Sequence, residues 1–341
     1  MISGFLITGL LIREVEQEGR VSLARFYARR AKRLLPATAV VLVATALLTW
    51  WSVTRVEWRT FGWDIIASAG YVVNWRLADR SVDYLAEDVG VSPVQHFWSL
   101  AVEEQFYIVW PLLLVVLAVL LRKTRLPARP VMAAGIVAVI VPSFVWSVHY
   151  TASNPAQAFF VTPTRLWELG VGALVAIGVG VWAKLPRAAA IVLGWAGLVL
   201  VVYAGFTVTA ATAWPGHMAL LPVVGTAAMI IAGSASGPAG PAGVLSWAPA
   251  VWVGGLSYSL YLWHWPLLVA ATAQWGELGA KKGLLVVAFS FIPAWLCNRF
   301  IENPIRFHKA FSRSNPLTLS MGANFTAIGA AAGLTLILLV P

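Results

Sequence analysis

The chain has 341 residues, of which 60% are hydrophobic and 11% charged, and its mean hydropathy is +0.79. An ordinary soluble domain carries about 25% charged and 45–50% apolar residues, so this composition excludes a soluble globular protein, a disordered chain and a secreted disulfide scaffold. The lone Cys297 excludes an intrachain disulfide and a cysteine-based metal site, and the net charge of +10 falls between apolar runs rather than on a nucleic-acid-binding face.

The expected fold class is therefore all-α, a polytopic transmembrane helical bundle with no nucleic-acid partner and no metal. A hydrocarbon core of about 30 Å takes roughly 20 apolar helical residues. Residues 1–12 (MISGFLITGLLI) form an apolar helix about 18 Å long, roughly half a bilayer. Seven basic residues follow within 13–33, among them Arg29, Arg30 and Arg33. Nine full spans are then predicted, at 34–52, 97–121, 131–150, 165–183, 189–207, 217–233, 249–273, 284–300 and 323–340.

Basic loops stay cytoplasmic. Placing 13–33, the loop 122–130, the Lys184–Arg187 turn and the segment after 284–300 inside accounts for most of the 24 basic residues. Residues 61–75 (FGWDIIASAGYVVNW) tempt a tenth span, but it would invert every later loop. They are predicted as an interfacial or re-entrant helix on the outer face, anchored by Trp58, Trp63 and Trp75 at the headgroups.

Ionisable groups inside spans cost several kcal/mol and commonly mark function. In HFWSLAVEEQFYIVWP (96–111), His96, Ser99, Glu103, Tyr107 and Trp110 share one helical face, with Glu103 about 10 Å below the outer surface. Glu103 reads as an acid, base or cation-holding group, Glu104 as facing a neighbouring helix, and Ser99 with His96 as a weak nucleophile–base pair that lacks a third member. In TRLWELGVGALV (164–175), Arg165 and Glu168 are spaced either to pair with each other or to offer Arg165 to Glu103, and Gly170 and Gly172 allow close packing.

In GGLSYSLYLWHWPLL (254–268), Ser257, Tyr261 and His264 share a face, pointing to packing or to proton handling. In SLARFYARRAKRLLPA (22–37), Arg29, Arg30 and Arg33 form a cationic face that suits lipid headgroups or a phosphorylated ligand. IENPIRFH (301–308) reads as structural, with Glu302 near Arg299 and Arg306 and with Pro304 stopping the helix.

The blocks ISGFLIT, FYARRAKRLLPA, FWSLAVEEQFYIVWP, RLWELGVGALVA, LSYSLYLWHWPLL and IENPIR stand in the order of the acyltransferase-3 family, and the chain resembles that family from residue 2 to about 308. The resemblance implies a bacterial inner-membrane (plasma-membrane) O-acyltransferase, embedded among membrane lipids, that modifies a cell-surface glycan or glycolipid hydroxyl. The acyl donor it implies is cytoplasmic acetyl-CoA. It assigns Arg30 and Arg33 to the phosphates of that acyl-CoA and Glu103 to the family's glutamate; Glu103 with Arg165, Glu168 and His264 is expected to orient or electrostatically support the site.

The family's first span, with an Arg and a catalytic-base His, is expected upstream of residue 1, and an SGNH-type domain is expected beyond the last span in many relatives. The predicted organisation is a membrane acyltransferase domain over 1–308, incomplete at its N-terminus, followed by a linker and final transmembrane helix over 309–341. A transporter or flippase of a lipid-linked sugar is the alternative from another class, and an inactive truncated member of the family is a third reading.

Overall fold

The computed structural model describes residues 1–18, 20–82, 90–124, 128–209 and 211–340, and the described residues are helical throughout, without strands. Twelve longer helices follow one another as α1 (Ile2–Glu18), α2 (Leu23–Ser52), α3 (Arg55–Ala69), α4 (Val73–Arg80), α5 (Phe97–Thr124), α6 (Ala128–Ser153), α7 (Leu166–Ile177), α8 (Arg187–Thr207), α9 (Leu220–Gly233), α10 (Ala248–Trp275), α11 (Ala280–Cys297) and α12 (Asn315–Leu338). Six helices among the described residues are long and apolar enough to cross a bilayer, in segments Leu23–Ser52, Phe97–Leu117, Arg129–Ser153, Arg187–Thr207, Ala280–Arg313 and Asn315–Leu338. This is a multi-pass membrane protein.

Six of the nine predicted spans meet that measure of length and apolarity among the described residues. In the run 165–183, α7 has 12 residues and ends at Gly178, with a separate turn, Val179–Trp182, after it; in 217–233 a 3-10 turn, His217–Ala219, precedes the 14 residues of α9. The run 249–273 does form a continuous helix, Ala248–Trp275, of 28 residues.

The chain divides into two compact units, Met1–Val21 with Val102–Val251, and Ser22–Ala101 with Trp252–Pro341. In the first unit α1 lies on α7, α7 packs on α6 and α9, and α9 on α8. The α1–α7 crossing is closer than side chains permit. A Cβ added at Gly4 would overlap the Leu169 carbonyl, and one at Gly172 the Met1 carbonyl. Trp167, Ala219 and Val223 form a core beside it, with Ile140, Phe144 and Trp214 against them.

In the second unit α12 packs on both α2 and α3. Ser22 caps α2 by accepting from the Arg25 amide at 3.4 Å, and Ser314 caps α12 through the Leu317 amide at 3.4 Å. Pro36 in α2 and Pro266 in α10 are carried within helices, as lipid-embedded helices tolerate where neighbours satisfy the freed carbonyls.

The region 61–75 is not a single helix. It is two helices, α3 and α4, separated at Gly70–Val72, where Tyr71 takes a positive φ of 53°. At 15 residues α3 is short of a full span. Trp63 and Trp75 are exposed, as headgroup anchors would be, but Trp58 is buried and donates its indole N–H to the Val53 carbonyl at 3.0 Å. It is a packing residue, not an anchor.

Asp64, fully buried in α3, meets Arg76 Nε and Arg80 Nη1 at 2.6 Å each. Pro304 does not stop the chain's helical path either. A π-helical turn, Asn298–Glu302, leads into Asn303–Phe307, where Pro304 occupies the first turn. Of the basic loop 122–130, residues 125–127 and the side chains of Arg122 and Lys123 lie outside the described residues, while Arg129 pairs with Glu16 at 3.1 Å.

Candidate functional site

The face predicted for 96–110 is divided between the two units. Glu103, Tyr107 and Trp110 belong to the first; His96 and Ser99 belong to the second.

In the first unit, α1 brings Ser3 to α5. Ser3 Oγ donates to Glu103 Oε1 at 2.9 Å, and Tyr107, one turn along α5, donates its hydroxyl to Glu103 Oε2 at 3.3 Å. Below them Thr8 Oγ1 accepts from the Trp110 indole at 2.8 Å, and Trp110 stacks on Phe106 with centroids 4.6 Å apart. Two hydroxyls thus meet a half-buried carboxylate, one on each oxygen.

Arg165 takes the local alternative of its two expected pairings. Its Nη1 is 3.0 Å from Glu168 Oε1, and its Nη2 donates to the Phe159 carbonyl at 3.2 Å. The guanidinium also lies over the rings of Phe159 and Trp214, at 5.4 and 5.7 Å from their centroids. With 5% of its side chain exposed, Arg165 is a buried cation matched by a nearby carboxylate and two aromatic faces. The hydroxyl donors to Glu103 are Ser3 and Tyr107, where the sequence offered Arg165.

In the second unit His264 joins a cluster the sequence did not assemble. Its ring centroid lies 5.6 Å from that of His96 and 5.5 Å from that of Tyr261, and Trp265 lies 6.4 Å from both imidazoles. Tyr261 donates to the His96 carbonyl at 2.6 Å, so Ser99 Oγ, also 2.6 Å away, is the donor to the Tyr261 oxygen. Ser257 is not a member; it is exposed and bonds the Gly254 carbonyl. Nor are Ser99 and His96 joined as nucleophile and base.

Backbone carbonyls set the tautomers of both imidazoles. A carbonyl accepts, so His96 Nε2 carries a proton toward Leu262 O and His264 Nδ1 carries one toward Leu260 O, each at 3.2 Å. In the neutral imidazole the opposite nitrogens, Nδ1 of His96 and Nε2 of His264, are the lone-pair acceptors. His96 Nδ1 is sealed without a partner among the described residues, which costs about 1–3 kcal/mol for a buried polar atom. Burial, and then the neighbouring His264, push the His96 pKa down to about 3, so His96 stays neutral. His264 is half-buried.

Arg30 and Arg33 sit in the first turns of α2. The Arg30 guanidinium lies over the Phe26 ring at 5.9 Å, and Arg33 is exposed. Nearby Lys32 donates to Ser312 Oγ at 3.0 Å. Glu302, read from sequence as structural, is buried and accepts from Ser259 at 3.1 Å and Asn298 at 2.9 Å, with Arg306 at 3.9 Å.

The Ser3–Glu103 bond and the buried Asp64 with its two arginines went unread in the sequence. The second had a signal, an acid within an apolar run followed by arginines four residues apart.

Comparison with known proteins places these residues in context. The family described as Acyltransferase domain matches residues 1–299. The chain is 31% identical over 322 residues to a peptidoglycan O-acetyltransferase, OatA, of Listeria monocytogenes, covering 90% of this chain and 50% of the relative. It is 30% identical over 319 residues to the O-acetyltransferase OatA of Staphylococcus aureus strain NCTC 8325, covering 90% and 51%. A putative O-acetyltransferase of S. aureus strain COL is 31% identical over 323 residues, with the same coverage of 90% and 51%. The chain thus spans about half the length of the curated relatives it matches. No solved structure matches.

Proposed function

The chain belongs to the acyltransferase family described above, and from that premise we propose that it is a bacterial plasma-membrane O-acyltransferase moving an acetyl group to a hydroxyl of a cell-surface glycan. The observation that carries the reading is the family match across residues 1–299, which contains every polar cluster described here apart from the Glu302 group. The names of the relatives direct it to acetyl transfer, and the Listeria relative to peptidoglycan as the acceptor class.

The donor in this proposal is acetyl-CoA, used from the cytoplasm. Its phosphates suit Arg30 and Arg33, which the charge-derived topology puts at the inner face, and guanidinium groups bind phosphate oxygens two at a time. In the transfer the acceptor oxygen bonds to the thioester carbonyl carbon. The carbon–sulfur bond breaks, the thiolate departs, and the acceptor's hydroxyl proton passes to a base.

Glu103 orients the site, and Arg165 with Glu168 supports it as an ion pair. A carboxylate held by two hydroxyls is pre-oriented, which lowers the reorganisation the reaction must otherwise supply.

The test is Arg30→Ala with Arg33→Ala in the full-length protein. Each guanidinium–phosphate contact contributes about 1.5–3 kcal/mol, so the pair is expected to lose glycan acetylation by two orders of magnitude or more while membrane insertion is kept. Acetyl groups released from purified glycan by mild base measure the outcome. Wild-type acetyl content in the double variant removes the two arginines from donor binding. Inserted wild-type protein that leaves the glycan free of acetyl groups overturns the transferase reading itself.

A further inference from the structure

The cluster in the second unit has the chemistry of a sugar-binding subsite. We propose that the half-buried edge of the His264–Tyr261–Trp265 group binds the acceptor sugar, one of whose hydroxyls donates to His264 Nε2, with His96 positioning that imidazole. The ligand class rests on the O-acetyltransferase reading; the site itself rests on geometry.

Three observations carry it. First, the His264 tautomer is set by the Leu260 carbonyl, which leaves Nε2 as an acceptor that makes no bond to a described residue. A sugar hydroxyl is a matching donor. Second, two aromatic side chains flank the imidazole, Tyr261 at 5.5 Å and Trp265 at 6.4 Å, and both are anchored. Tyr261 bonds the His96 carbonyl at 2.6 Å and Trp265 the Ser92 carbonyl at 3.0 Å. Rigid apolar ring faces beside a few convergent polar atoms are how small polar ligands are held, and a pyranose offers C–H faces to stack and hydroxyls to bond.

Third, His96 is 6% exposed, with Nδ1 unpartnered, and its ring stands edge-on to His264 at an interplanar angle of 72°. A buried, neutral imidazole there supports the orientation of His264 without adding a charge that would compete for the ligand. The topology drawn from the basic loops puts His264 in the outer half of its helix, the side on which a cell-surface glycan lies.

The full chain, purified in detergent, is treated with diethyl pyrocarbonate with and without chitotetraose, and modification is mapped by mass spectrometry at its five histidines. His264 is expected to react. Chitotetraose at roughly ten times its Kd should slow that reaction about tenfold while leaving the exposed His308 unaffected. A His264 rate that the sugar does not change overturns the site.

His96→Gln, whose amide N–H still reaches the Leu262 carbonyl, should keep the protection that His96→Ala loses. Equal protection in the two variants overturns the positioning role. Glycan acetylation is assayed separately. Protection without acetylation keeps this site and removes the transferase reading, whereas acetylation without protection does the reverse.

Discussion

Ser3 gives Glu103 its geometry from a hundred residues away in sequence. A hydrogen bond to a charged acceptor contributes about 1.5–3 kcal/mol, and the Tyr107 bond on the other oxygen, at 3.3 Å, is long enough to be the weaker of the two. If the carboxylate works through this orientation, Ser3→Ala and Glu103→Gln act on one feature and their losses do not add. Glycan acetylation in the two single variants and the double variant should give a coupling energy of about 0.5–3 kcal/mol. Losses that simply multiply would separate the two residues functionally. Arg165 obeys a different logic. Its charge is matched within a turn by Glu168 and across two aromatic rings, so removing Glu168 leaves a buried cation exposed to the full desolvation penalty, whatever happens to the chemistry.

Helix α7 shows what a single sequence can and cannot disclose. Its apolar character, its Arg165–Glu168 spacing and the packing use of Gly170 and Gly172 were all legible, because hydropathy and helical periodicity are local properties. Its length was not. Gly178 ends the helix after 12 residues inside a run that hydropathy alone reads as continuous. Nor was its partner legible, since the crossing with α1 depends on two carbonyls that no local pattern specifies. The same division holds elsewhere. Tyr261 and His264 were paired correctly by spacing, yet His96 joined them through tertiary packing, and Ser257 dropped out by facing outward. The partners of Asp64, Arg76 and Arg80, stand 12 and 16 residues further on in the next helix, beyond the reach of local periodicity. The crossing itself is testable. Gly172→Ala places a methyl against the Met1 carbonyl, and overpacking of this kind costs about 1–3 kcal/mol. Thermal unfolding in detergent should fall by several degrees for Gly172→Ala and stay put for Gly254→Ala, where nothing lies within 4 Å. Equal midpoints would mean that α1 and α7 do not cross this closely.

At the scale of the whole chain, the two units are interleaved in sequence. The first is made of Met1–Val21 and Val102–Val251, and the second takes the stretch between them and the remainder. The units also separate the chemistry, with the carboxylates Glu103 and Glu168 and their Arg165 in one, and the imidazoles and the Arg30–Arg33 face in the other. Acyl transfer from a cytoplasmic donor to an outer glycan needs groups on both sides of the bilayer, so the proposal depends on topology as much as on side chains. The distribution of Lys and Arg makes a definite claim here. Lys184, in the turn after α7, lies inside, and Lys281, at the start of α11, lies outside. Both are exposed, and the chain's one native cysteine, Cys297, is buried, so introduced cysteines report against a quiet background. A membrane-impermeant maleimide added to intact cells should label Lys281→Cys, and should label Lys184→Cys only after the membrane is permeabilised. The reverse pattern would put the arginine face of α2 on the outside, where no cytoplasmic thioester donor could reach it.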